Sequence, residues 1–308
     1  MRKAFLNGML GLAEQDERVV LIASDITQAT AIRNFRDTYP KRFFMDGIYE
    51  QHLIGMAAGM AFSGKIPFVT TISTFLTRRC FEQVAIDVCM HNLPVRLFGT
   101  GGGGVYAPLG STHMAIEDMA IMSALPNMTV IAPADANEME RLLPSTLTHE
   151  GPIYVRLAKG GDPIVTADAG PFEIGKGFKL REGGDLLLVT TGVTTNRALA
   201  AAEELAAGGI EACVLHMPTI KPLDTDMIRA CAAETPAVLT VEEGTLQGGL
   251  GSATAVVLAE AGYDTPKRFA RLGFPDVFAE HFGGQDPIMS EYGFDAPGIV
   301  ARARALLG

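Results

Sequence analysis

Asp46-Gly-Ile-Tyr-Glu50-Gln-His-Leu-Ile-Gly-Met-Ala-Ala-Gly-Met-Ala61 decides how this chain is read. Beyond Gln51 and His52 the stretch is Ala, Gly, Met, Leu and Ile, the composition of a buried helix. One carboxylate, Glu50, stands at its mouth. A carboxylate rarely enters such surroundings without a partner. Two readings are open. Glu50 is a first-turn acid favoured by the helix dipole, or it shares a proton with a bound heterocycle.

On either side of this helix, strand-like and helix-like runs alternate. Val19–Ala23, Pro67–Ile72, Val95–Phe98, Met128–Ala132 and Ile153–Leu157 are short apolar runs of strand type. Phe81–Met90, Met114–Ala124 and Glu138–Leu147 read as helices. Apolar strands separated by helices imply a mostly parallel sheet covered on both faces. Residues 159–184 are rich in Gly, Pro and Asp and lack helical periodicity, as a linker does. The alternation then restarts, with strands at Asp185–Thr190, Ile210–Leu215 and Ala237–Val241, and helices at Thr195–Ala207, Asp224–Ala233 and Leu250–Glu260. The expected architecture is α/β, with two doubly wound domains. Residues 1–160 form the first, 161–184 the linker and 185–308 the second.

Composition sets the bounds. The chain of 308 residues is 48% hydrophobic and 19% charged, so it can bury two cores. Its net charge of -10 argues against nucleic acid as a main partner. No apolar run approaches the roughly 18 residues of a membrane span. The amphipathic start, broken by Asn7 and followed by Glu14 and Glu17, does not read as a signal peptide. Cys80, Cys89, Cys213 and Cys231 form no C-x-x-C pair and read as buried thiols of a reducing cytoplasm. The histidines, His52, His91, His113, His149, His216 and His281, show no metal spacing, and no G-x-S-x-G elbow is present.

Three segments accompany Glu50. Ser73-Thr-Phe75-Leu-Thr-Arg78-Arg79-Cys-Phe81 reads either as a flat apolar wall beside a cationic site or as a helix start with core phenylalanines. Gly99-Thr-Gly-Gly-Gly-Gly104 lets the backbone approach a ligand, or lets a loop turn; it is not a nucleotide fingerprint. Gly110-Ser-Thr112-His113 places an imidazole ahead of a helix, where it meets a substrate oxygen or serves the loop's structure.

Together these segments resemble the C-terminal half of the transketolase family of thiamine diphosphate enzymes, which includes deoxyxylulose phosphate synthase. Gly47-Ile-Tyr-Glu50-Gln51-His52 is similar to the family's E-Q-H helix start. Ser73-Thr-Phe75-Leu is similar to its pyrimidine pocket, and Gly110-Ser-Thr-His113 to its G-x-T-H loop. Thr219-Ile-Lys-Pro-Leu-Asp224, Val241-Glu-Glu243-Gly and Gly248-Gly-Leu-Gly251 are similar to its C-terminal domain. The resemblance implies that Glu50 bonds N1′ of the cofactor's aminopyrimidine, favouring the imino form whose 4′-nitrogen takes the C2 proton. It implies that Phe75 and Phe81 pack on the pyrimidine with Arg78 nearby. His113 then stabilises or protonates a substrate oxygen.

The family holds the diphosphate through Mg²⁺ on a G-D-G … N motif, and this chain has no G-D-G. The resemblance therefore implies half an enzyme: a partner chain carries the diphosphate and metal site, the assembly is two-plus-two, and the substrates are sugars.

 In that assembly two copies of this chain join two partner chains. Arg33, after Ser24-Asp25-Ile-Thr27, matches a family arginine that contacts sugar phosphate, and Lys159 stands where a second arginine is expected. Lysine gives a point charge where arginine grips phosphate in two places. A family acid that reads a sugar hydroxyl is replaced by Leu109 or a neighbour. These departures point to a smaller, more apolar or non-phosphorylated acceptor. The expected reaction is transfer of a two-carbon ketol unit. The alternatives are the beta subunit of a 2-oxo acid dehydrogenase and a non-catalytic scaffold of the same fold.

Overall fold

The computed structural model describes residues 1–24, 30–280 and 283–308. Asp25, Ile26, Thr27 and His281 lie outside the described residues. Six strands of the first sheet are β1 (Val19–Ala23), β2 (Phe43–Met45), β3 (Ile66–Ile72), β4 (Arg96–Thr100), β5 (Thr129–Ile131) and β6 (Ile153–Leu157). A second sheet uses β7 (Phe178–Arg181), β8 (Leu186–Thr190), β9 (Ala212–His216), β11 (Ala237–Thr245) and β12 (Arg268–Phe274), while β10 (Thr219–Lys221) crosses to the first. The strand orders are β10-β5-β6-β4-β3-β1-β2 and β12-β11-β8-β9-β7. All pairings are parallel except those of the two edge strands β10 and β7.

β1, β4, β6, β8 and β9 are buried along their whole length, as strands covered on both faces must be. Arg2–Gln15 packs with Thr30–Thr38 and Ala136–Leu142, and Glu50–Phe62 packs on β3. Around the second sheet, Thr194–Ala207 packs with Ala296–Leu307, and Thr225–Ala233 with Leu250–Glu260. The two apolar clusters each draw residues from both sheets, so the core is continuous between the halves of the chain. A buried pair fastens the same junction: His216 Nε2 lies 2.9 Å from Glu138 Oε2, which also accepts from Ala134 N–H at 2.6 Å.

Three local expectations change. The helix expected from Met114 begins only at Asp118, because Ala115 instead pairs with Gly103. The stretch of residues 159–184 contains β7, which adds antiparallel to β9. Its first part is held by Asp135, whose carboxylate accepts from the N–H groups of Val165 and Thr166 at 2.8 and 2.9 Å. The helix expected over Phe81–Met90 is a short α-turn running into the π-helical Val84–Cys89.

Candidate active site

Parallel strands send every following loop to the same edge of the sheet. Arg33 follows β1, Glu50 follows β2, Phe75, Arg78 and Phe81 follow β3, His113 follows β4, and Lys159 follows β6. All seven therefore belong to the carboxyl edge, where open α/β sheets bind ligands. The order reverses at β1, which pairs with β2 on one side and β3 on the other. Ser24 Oγ and Thr71 Oγ1 meet there at 2.9 Å.

Glu50 opens the helix Glu50–Phe62 and is fully buried. Its Oε2 accepts from Arg79 Nη1 at 2.6 Å, whereas its Oε1 is buried without a partner. An unbonded buried carboxylate oxygen is costly. It fits a site whose donor arrives with a ligand. The Arg79 guanidinium also lies 4.1 Å from the Phe75 ring centroid. Phe75 in turn meets His113 edge-on, with centroids 5.2 Å apart. His113 is half-buried, and its Nδ1 is 2.9 Å from Thr112 Oγ1. Glu50, Arg79, Phe75 and His113 thus form one connected row. Behind it, burial and then the Glu50 charge push the Cys80 thiol up to about 12. Cys80 stays protonated and donates to the Phe75 carbonyl at 3.1 Å.

The other selected residues take different places. Arg78 pairs with Glu117 and donates to Met114 O at 2.8 Å, so it braces the His113 loop. Arg79, its neighbour, is the one that reaches Glu50. Phe81 is partly buried against the apolar core. Arg33 and Lys159 are exposed.

A buried polar frame supports the row. Asp118 is fully buried and accepts from Arg156 Nε at 2.9 Å, from Tyr154 Oη–H at 2.5 Å and from Met119 N–H at 2.8 Å. Burial alone would lower the Arg156 pKa, but the Asp118 charge overrides it and holds it above the usual arginine value. Burial, with Asp118 adding to it, pushes the Tyr154 phenol well up. Arg156 Nη2 also donates to Ala115 O at 2.9 Å. Sequence reasoning passed over Arg156, although an arginine inside the apolar strand Ile153–Leu157 demands a partner.

The glycine run is shaped by the protein itself. A Cβ on Gly102 would stand 2.3 Å from the Arg156 side chain, and one on Gly103 would stand 2.3 Å from the Glu243 carboxyl carbon. The close approach is to these two side chains.

Residues 1–161 match the family model for the transketolase pyrimidine binding domain, and residues 175–299 match that for the transketolase C-terminal domain. The chain belongs to the transketolase family. Its fold follows that of a split-gene transketolase solved as an inactive beta4 tetramer, with a TM-score of 0.91 and 38% identity over 99% of this chain and 97% of that one. It is 37% identical to a 6-deoxy-6-sulfo-D-fructose transketolase subunit of Clostridium sp., covering 98% of this chain and 93% of that protein. It is 42% identical to a 1-deoxy-D-xylulose-5-phosphate synthase of Geobacter metallireducens over 96% of this chain, but spans only 47% of that protein.

Proposed function

We propose that this chain is one subunit of a two-chain, thiamine diphosphate-dependent enzyme that transfers a two-carbon ketol unit from a ketose to an aldehyde. The observation that carries the reading is the buried Glu50 carboxylate, with Oε2 fixed by Arg79 and Oε1 lacking a donor. A protonated ring nitrogen of an aminopyrimidine is a donor of the required kind. When bound, thiamine diphosphate supplies the electron sink for a carbanion formed from a ketone. Glu50 holds the proton at the pyrimidine. Phe75, braced by Arg79, walls the ring, while Arg78 holds the His113 loop through Glu117 and Met114 O. His113 offers Nε2 to a substrate oxygen and moves its proton. Arg33 and Lys159 receive the anionic end of a substrate.

In this reading residues 1–160 are the pyrimidine-binding unit, 161–184 the connection and 185–308 the C-terminal unit. The diphosphate and Mg²⁺ belong to a partner chain carrying G-D-G, a motif missing from this sequence. Two copies of each chain form the assembly, and the beta4 tetramer of the split-gene relative supports self-association. No described helix is long and apolar enough to cross a membrane.

Titration calorimetry tests the division of labour. Thiamine diphosphate with Mg²⁺ should bind the mixture of this chain and its partner, and neither alone; tight binding by this chain alone overturns the two-chain reading. Glu50→Ala should cut turnover by about a hundredfold or more while the assembly survives. Unchanged turnover would show that Glu50 has no such role.

A further inference from the structure

The glycine loop and the loop carrying His113 are one hydrogen-bonded unit. Gly103 N–H donates to Ala115 O at 2.8 Å, and Ala115 N–H returns to Gly103 O at 3.1 Å. Ala115 stands just beyond His113, so the imidazole's position follows that of the glycine loop. The glycine loop is itself held from the other half of the chain. Gly104 N–H donates to Glu243 Oε1 at 2.9 Å. Gln285 Nε2 donates to the same oxygen at 2.7 Å and fixes the carboxylate from behind. Arg156 completes the tie, with Nη1 on the Glu243 carbonyl at 2.5 Å and Nη2 on Ala115 O at 2.9 Å.

Glu243 is a buried carboxylate that the chemistry above does not use. Such a group is retained at a cost in desolvation. Burial pushes its pKa up, and Arg156 offsets this only in part. Its carboxyl carbon fills the space that a side chain at position 103 would need. The loop is therefore built around this carboxylate.

We propose that Glu243 is a positioning residue, which fixes the glycine loop at Gly104 and, through the Gly103–Ala115 pair, sets where His113 meets the substrate. Its effect on turnover rests on the function proposed above; its effect on the loop does not.

Residue-resolved amide hydrogen exchange on the full chain tests the loop, and steady-state kinetics with the partner chain test the consequence. In Glu243→Ala, exchange at Gly103, Gly104 and Ala115 should rise about tenfold or more, the scale of one lost hydrogen bond to a charged group. Amides of β8 and β9 should keep their protection. Glu243→Gln retains an oxygen for Gly104 N–H and should restore most of it. The kcat should fall about tenfold in the alanine variant with less change in KM, and recover in the glutamine variant. Unchanged exchange in the loop overturns the proposal, as does a rise spread evenly through the second sheet. Loosening of the loop with unchanged kcat overturns the link to His113. If Glu243→Ala does not fold, Gln285→Leu decides: the same amides should exchange faster, and no change overturns the proposal. If the wild-type assembly turns over no ketose, the function proposed above fails while the exchange result still judges the loop.

Discussion

Asp118→Asn should show how strongly the frame behind the site depends on one charge. Asp118 and Arg156 are buried, with side-chain exposures of 0% and 7%. Asparagine keeps the shape but leaves the guanidinium without its counter-charge. It also sets its amide NH2 either against Arg156 Nε and the Tyr154 hydroxyl or against Arg156 Nη2 and Met119 N–H. Removing one side of a buried ion pair costs about 3–5 kcal/mol. A folded protein of this kind holds only about 5–15 kcal/mol in all. The chain has no tryptophan, so urea unfolding is best followed by circular dichroism. With a slope of about 3 kcal/mol per molar, the midpoint should fall by roughly 1 M or more. The double variant Asp118→Leu, Arg156→Met removes both charges and should recover at least half of the loss, because neither ion is then stranded. A single-variant loss below about 1 kcal/mol would refute the reasoning. So would a double variant no better than the sum of the singles.

Gly103→Ala should cost about 2 kcal/mol or more, since φ is +66° and the new methyl would stand 2.3 Å from the Glu243 carboxyl carbon; a thermal melt matching wild type would contradict the observed packing. Glu242 gives a pH signature. Burial pushes it up to about 7, against bonds from the Gly251 and Leu250 N–H groups at 2.7 and 2.9 Å. A carboxyl raised in the folded state binds its proton more tightly there, so stability falls as pH climbs from the ordinary carboxylate range through about 7. Glu242→Gln removes that dependence. The variant should gain on wild type by up to about 3 kcal/mol between pH 4.5 and pH 8, read by urea unfolding at both; a constant difference would exclude it.

The strands that read most clearly from sequence are those buried on both faces, such as Val19–Ala23 and Ile153–Leu157, because burial on both sides forces a continuous apolar run. Edge strands escape that pressure. β7, with Lys179 and Arg181, is only half-buried and lies in a stretch rich in Gly and Pro. At the site, Glu50 was legible because one acid among apolar neighbours is conspicuous. The choice between Arg78 and Arg79 was not, since adjacent residues leave a helical turn in directions about 100° apart. Nor was the tie between Gly104 and Glu243, which lie 139 positions apart and meet only after both sheets are built.

β10 has a consequence for where this gene could be broken. It lies in the C-terminal half, yet its backbone closes the edge of the first sheet, with Thr219 opposite Ile131 and Lys221 opposite Val130. A break between the two sheets would separate β5 from that cover and leave a row of open N–H and C=O groups, a template for sticking to other chains. Fission or domain shuffling at that point would thus yield an N-terminal fragment prone to aggregate. The pairing of β10 with β5 makes the two halves one inheritable unit.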